Sequence, residues 1–284
     1  MDVGAAAIAE VPVYKALVDQ GIAQLNAFEG DLRQIASIEA AYGMNAKIYN
    51  EFLYDGTEQT LHIAYPLTGM TSLLKPRAEA LAFFNNFQNF GHVIATERVD
   101  TVRLDDVERL PPIDFLKADI QGAELTVLKN GTAKLARCLF VQLEVSWICI
   151  YENQPAFGEV DMWMRAEGYI PHCLLDVKKW SIYPTVFGND FRIPGNQLLE
   201  SDVVYVKDPM NLSVLDDMQL KKMAVIAYHA FKSIDLCVHI LNELVSRKCL
   251  SESRRDVLVG SLESSALEEP LRLQSDTGFS HRLG

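Results

Sequence analysis

The stretch Ile113 to Gly131, IDFLKADIQGAELTVLKNG, constrains the chain more than any other. A short apolar run ends on Asp119, and Gly122 then turns the backbone into an amphipathic helical pattern. A strand that ends on an acid and feeds a helix is the unit of a parallel α/β sheet, in which strand ends face the ligand crevice. Asp119 is therefore the residue this unit presents to a bound molecule.

The start of the chain has the same grammar. Asp2-Val3-Gly4-Ala5 precedes a helical stretch from Pro12 to Gln20, then Gly21 and a second apolar segment that ends at Phe28-Glu29. This is the spacing of a first βαβ unit. A carboxylate at the end of its second strand has two oxygens and accepts hydrogen bonds from both hydroxyls of a ribose. Glu29 is the ribose ligand this reading selects.

Further strands are expected at Lys47 to Tyr54 and Thr60 to Tyr65, joined as a hairpin by Asp55-Gly56, and at Val99 to Leu104. Asp105 then reads as the N-cap of the turn that follows, ending near Leu110. Leu139 to Val145 forms strand five and places Glu144 at the carboxyl edge beside the strand of Asp119. Two acids at one crevice act as base and orienter, or stand as solvated rim charges. A helix from about Ala156 to Glu167 stops at Gly168, and Tyr169 to Leu175 and Asp202 to Val206 close the sheet. Residues 209–284 carry helical patterns to about Leu267, with Glu268-Glu269-Pro270 as a breaker. Within them Met223, Ile226, Ala230, Ile234, Cys237, Leu241 and Leu244 form one apolar stripe, facing either the core or a partner.

These segments resemble the FkbM family of S-adenosylmethionine-dependent methyltransferases over roughly residues 2 to 208. Asp2-Val3-Gly4-Ala5 is similar to the family's first motif, Phe28-Glu29 to its strand-two ending, and Gln121-Gly122-Ala123-Glu124 to its Glu-Gly-Ala-Glu turn. Tyr151-Glu152-Asn153-Gln154-Pro155 resembles its Tyr-Glu-x-Gln-Pro loop. The departures are Ala6 for Asn, Ile8 for a second Gly, and Gln121 for an acid. The chain also opens on the first motif, which leaves strand one two residues of its own; either a start lies upstream of Met1 or the strand is truncated.

The resemblance implies a Rossmann-like class I methyltransferase sheet, mostly parallel with an antiparallel last strand and helices on both faces. Residues 1–208 would form that domain and 209–284 a helical extension. S-adenosyl-L-methionine is the implied cofactor, with Asp2, Gly4, Glu29 and Asp119 around it. Ser72, in Thr71-Ser72, is a further cofactor contact or simply a loop cap. Asp119 and Glu144 are the implied catalytic pair. The expected reaction is O-methylation of a carbohydrate, glycolipid or polyketide-like acceptor. The competing reading is a degenerate fold acting as a non-catalytic binding or assembly module.

Residues 77–89 read as an aromatic-rich insertion. Residues 176–201 form a second one, whose Trp180, Tyr183, Phe187, Asn189, Asp190, Phe191 and Asn196 suit stacking on a polyhydroxylated acceptor or packing on themselves. A formal net charge of −12 over 284 residues argues against nucleic acid as a partner. Lys178-Lys179 reads as a solvated loop. Five cysteines without a Cys-x-x-Cys, and no leader at Met1, fit a cytoplasmic chain with free thiols. No run of about 18 uncharged apolar residues is present, so no membrane span is expected. No metal site is expected either: His229 and His239 do not share a helical face. His172 is a weak alternative base. The helical tail offers a surface for self-association.

Overall fold

A computed structural model describes residues 1–5, 11–65 and 68–268. Seven strands form one sheet: β1 (Asp2–Val3), β2 (Leu25–Phe28), β3 (Ala46–Tyr49), β4 (Phe115–Ala118), β5 (Phe140–Ser146), β6 (Tyr169–Trp180) and β7 (Gln197–Lys207). Their order is β6-β7-β5-β4-β1-β2-β3. Five are parallel neighbours, while β7 runs antiparallel to both β5 and β6. The expected Rossmann-like sheet with its antiparallel last strand is therefore present.

β1 is central despite its length. Asp2 and Val3 pair with Ala27 and Phe28 on one side and with Lys117 and Ala118 on the other. The ladder is prolonged by Lys117 N–H donating to the Met1 carbonyl and by Asp119 N–H donating to the Val3 carbonyl, at 3.0 and 3.1 Å.

Alternation along the strands sorts their side chains onto two faces. Val3, Phe28, Leu116, Ala118, Val141, Leu143 and Tyr205 point to one, where α3 (Glu124–Lys129) and α4 (Phe157–Ala166) cover them. Ala27, Phe115, Phe140, Val204 and Val206 point to the other. There they meet α1 (Lys15–Asp19), α2 (Leu32–Tyr42), α5 (Asp217–Phe231) and α6 (Ile234–Ser246).

The tail is thus part of the fold's core. Met223, Ile226, Cys237, Leu241 and Leu244 of the expected stripe are buried against the sheet, which decides for the core-facing alternative. The stripe is split between two helices because Lys232 adopts φ 53°, a left-handed C-terminal conformation that stops α5. Asp216 caps α5 by accepting from Gln219 N–H at 2.8 Å, and Lys222 pairs with Asp114 at 2.8 Å. α7 (Glu252–Glu268) follows; Glu269-Pro270 lies outside the described residues.

Several local expectations are corrected. Gln59–Ala64 pairs with Val93–Val99, and Phe52–Leu53 pairs with Thr101–Val102, so the Asp55-Gly56 hairpin does not form. Partners some 40 residues away outcompete the local turn. Asp105 accepts from Ala133 and Lys134 N–H at 3.2 and 2.9 Å, capping the helix Thr132–Leu135 instead of its own turn. The strands on either side of the second insertion are longer than expected, so only residues 181–196 form the loop between β6 and β7.

That loop packs with the other insertion, now helices Ala78–Phe83 and Phe87–Phe90, over the carboxyl edge of β6. Trp180 lies 5.4 Å from Phe87 between ring centroids and donates its indole N–H to the Asn85 carbonyl at 2.8 Å.

Candidate active site

The carboxyl ends of β1, β2, β4 and β5 assemble the polar cluster. Asp2 is in register with Ala27 and with Lys117, so the three side chains share one face. Two residues further along, Glu29 and Asp119 return to it. Gln142 and Glu144 of β5, and Asp202 of β7, alternate with residues of the opposite core and face the same way. The face that is apolar under α5 and α6 thus becomes polar towards the carboxyl edge. Glu29 and Asp119 lie on the same side of the sheet.

Gly4 makes this edge possible. It sits at φ 77°, and a Cβ there would lie 2.1 Å from the Asp119 carbonyl oxygen. Only glycine permits both the left-handed turn and the close passage of the chain leaving β1 past the end of β4. Residues 6–10, including Ala6 and Ile8, lie outside the described residues.

Asp2 is buried, accepts a hydrogen bond from the Tyr14 hydroxyl and stands 4.0 Å from Lys117 Nζ. Its second oxygen is buried without a hydrogen-bond partner among the described residues. Burial raises its pKa, against the opposing pull of Lys117. Glu29 accepts from Asp31 N–H through Oε1 at 2.9 Å.

Asp119 and Glu144 form the centre of the site. The side-chain amide of Gln121 donates to Asp119 Oδ1 at 3.0 Å and to Glu144 Oε2 at 2.7 Å. Lys117 stands 3.8 Å from Asp119, and Lys178 stands 3.6 Å from Glu144 and 2.8 Å from Glu200. Two like charges in one buried site cannot ionise equally, so their pKa values move apart.

Burial, then the charges of Asp119 and Glu200, push Glu144 well above the ordinary carboxyl range. Burial also acts to raise Asp119, yet Lys117 and hydrogen bonds from Glu144 and Gln121 outweigh it and hold Asp119 low. Of the two, Glu144 is thus the group that holds a proton more readily and Asp119 the one that ionises more readily. Burial acts to lower Lys117, but the carboxylates of Asp2, Asp119, Asp202 and Glu144 raise it, so it stays cationic.

Supporting contacts fix the turn after Asp119. Glu124 Oε1 accepts from Ile120 and Gly122 N–H at 2.9 and 3.1 Å. Ser72, buried, donates to the Gln121 carbonyl at 2.8 Å and accepts from Leu74 N–H at 2.9 Å. Its hydroxyl serves the protein's own backbone here. Gln154 holds the loop from Ile150 to Pro155 by accepting from Ile150 and Tyr151 N–H, which brings the Tyr151 hydroxyl within 2.9 Å of Gln121 Oε1.

Lys178, expected in a solvated loop, lies in β6 with three carboxylates around it. His172 packs edge-on against Phe140, at the opposite end of β5 from Glu144, and against Phe231 of α5, so it is no base for this crevice. Lys117 and Tyr14 were not among the residues expected here, and Tyr151 was expected only as part of its loop motif. Lys117 had a visible signal: a charge inside an otherwise apolar four-residue strand, FLKA.

Among the described residues, no group of three or more His, Cys, Asp and Glu side chains is placed to hold a metal ion, and no helix is long and apolar enough to cross a membrane. A hollow of about 350 Å³ opens beside Trp180, lined by Ser181, Ile182, Thr185, Phe187, Asn196 and Gln197.

The Methyltransferase FkbM domain model matches residues 2–171. No curated protein matches at a significant level. Two solved structures of Streptococcus pneumoniae Sp1610, a candidate tRNA (m1A22) methyltransferase, align at 12% identity with a TM-score of 0.36. The first alignment covers 94% of this chain and 90% of the other. The second is a complex with S-adenosyl-L-methionine and covers 84% and 88%.

Proposed function

We propose, for a chain that belongs to the FkbM methyltransferase family and has S-adenosylmethionine as its methyl donor, that the methyl group goes to a hydroxyl oxygen of a carbohydrate, glycolipid or polyketide-like acceptor. The observation that carries this reading is the Asp119–Glu144 pair at the carboxyl edge, on the same face as Glu29 and Asp2.

The residues fit the cofactor. Glu29 would accept from the ribose hydroxyls, and Gly4 keeps the backbone free of a Cβ at the edge. When bound, S-adenosylmethionine supplies an activated methyl on a sulfonium. Displacement at such a carbon needs alignment and exclusion of water more than covalent help from the protein.

An alcohol nucleophile must shed its proton as the carbon–oxygen bond forms. Asp119 takes that proton, while Glu144, protonated, and Lys117 hold Asp119 ionised beforehand. The hollow beside Trp180 supports a neutral, polyhydroxylated acceptor. None of its lining residues is ionisable, and hydroxyl and amide groups alternate with Ile182 and Phe187. It begins two residues beyond Lys178, which touches Glu144. Trp180 and Phe191 are committed to packing within the insertion, so stacking on an acceptor falls to Phe187 and Tyr183.

The test is methyl transfer from isotopically labelled S-adenosylmethionine to a panel of neutral glycans, glycolipids and polyketide lactones, with total tRNA alongside. Label is expected on oxygen of a hydroxylated acceptor, with Asp119→Asn slower by about 100- to 10,000-fold. Label found in RNA alone, or an Asp119→Asn protein as fast as wild type, would overturn the reading.

A further inference from the structure

We propose that Gln121 is the positioning residue of the Asp119–Glu144 pair: its two amide hydrogens tie the carboxyl groups into one hydrogen-bonded unit, and Tyr151 fixes which way the amide points. The use of that unit in methyl transfer rests on the reading above; the unit itself does not.

The contacts on Gln121 leave little freedom. One amide nitrogen donates to both carboxyl groups, at 3.0 and 2.7 Å. The amide oxygen accepts from the Tyr151 hydroxyl at 2.9 Å, and Tyr151 is 1% exposed. A flipped amide would aim its oxygen at two acceptors and its nitrogen at a donor. The main chain is held as well: the Gln121 carbonyl accepts from Ser72, and the residue adopts φ 57°, a left-handed conformation unusual for a side chain of this length. A strained backbone fixed from several directions is a hallmark of functional turns.

Chemistry explains the residue type. Glutamine offers two donors on one nitrogen and an acceptor on the other branch, which matches two carboxyl groups and one phenol. A glutamate here, the residue the family resemblance leads one to expect, would bring a third carboxyl against the first two. The surrounding charges are those of Asp2 on β1, Lys117 on β4, Glu124 on α3, Lys178 on β6, and Glu200 and Asp202 on β7. Lys117 stands two residues before Asp119, on the strand that leads into it, and the others reach the pair from other elements. Gln121 is the neutral group that joins the pair directly.

The test follows side-chain carboxyl carbons of full-length protein labelled with ¹³C-aspartate and ¹³C-glutamate, titrated by NMR, with Asp119→Asn and Glu144→Gln to assign the signals. Gln121→Met, similar in shape and without donors, is expected to move the Asp119 step upward by about one pH unit or more, and Gln121→Glu further. Tyr151→Phe, which removes one hydroxyl, should shift it in the same direction by less. If Gln121→Met does not fold, Gln121→Glu and Tyr151→Phe carry the comparison.

An Asp119 step unmoved in the folded variants would overturn the proposal. The two readings fail separately. A moved step alongside an Asp119→Asn protein of full activity sinks the base and keeps the positioning role. An unmoved step alongside an inactive Asp119→Asn does the reverse.

Discussion

Glu124 shows how a single carboxyl couples the turn to pH. Its two backbone hydrogen bonds favour ionisation, but burial is stronger and raises its pKa from 4.5 to about 7. The native protein then binds this proton more tightly than the unfolded chain. Stability from this group is complete below pH 4.5, falls as pH rises towards 7, and stays lower above. Glu124→Gln keeps an oxygen for both N–H groups and removes the titration. Urea unfolding at a series of pH values should show the variant gaining on wild type across that window, by up to about 3 kcal/mol. A constant difference would count against a titrating Glu124. At this scale the sequence disclosed Asp119, Glu144 and Glu29 because acids at strand ends stand out. It concealed their connections: Gln121 looked like a weakened acid until the geometry showed it between two of them, Tyr14 carried no motif, and the loop motif of Tyr151 did not say which groups its hydroxyl meets.

Elements were legible where periodicity is local and obscure where partners are distant. β2, β4, β5 and α4 lie within a residue or two of their expected places, since strand alternation and the Gly168 stop are written into neighbouring residues. The missing hairpin and the redirected Asp105 cap depend on segments about 30 to 50 residues away, which no short pattern encodes. Gly4 joins the two scales. Gly4→Ala forces a Cβ onto the Asp119 carbonyl, and nothing flexible is there to yield. Thermal unfolding should reveal a loss of several kcal/mol or failure to fold; a melting temperature equal to wild type would show that the ends of β1 and β4 do not pass so closely. Lys232 gives the opposite prediction. At φ 53° a glycine is less strained, so Lys232→Gly should stabilise by about 0.5 to 1 kcal/mol in the same assay.

For the whole molecule, the tail helices decide how the sheet is covered. The sequence marked residues 209–284 as an appendage because the family likeness ends near 208. Yet Leu220, Met223, Ile240 and Leu244 close one face of the sheet. A chain ending at Asp208 should bind a hydrophobic dye and lack cooperative unfolding; a sharp transition would show that the first 208 residues fold alone. The same face, apolar under the tail and polar at its carboxyl edge, is what sets Glu29 and Asp119 on one side of the sheet, flanking β1. That arrangement is tested most directly by calorimetric titration of the full chain with S-adenosylhomocysteine, wild type against Glu29→Ala. Saturable heat with one site per chain is expected for wild type, with binding weakened about 10- to 100-fold in the variant through loss of charge-assisted hydrogen bonds to the ribose. Equal affinity in the two proteins, or no saturable heat from wild type, would contradict the site.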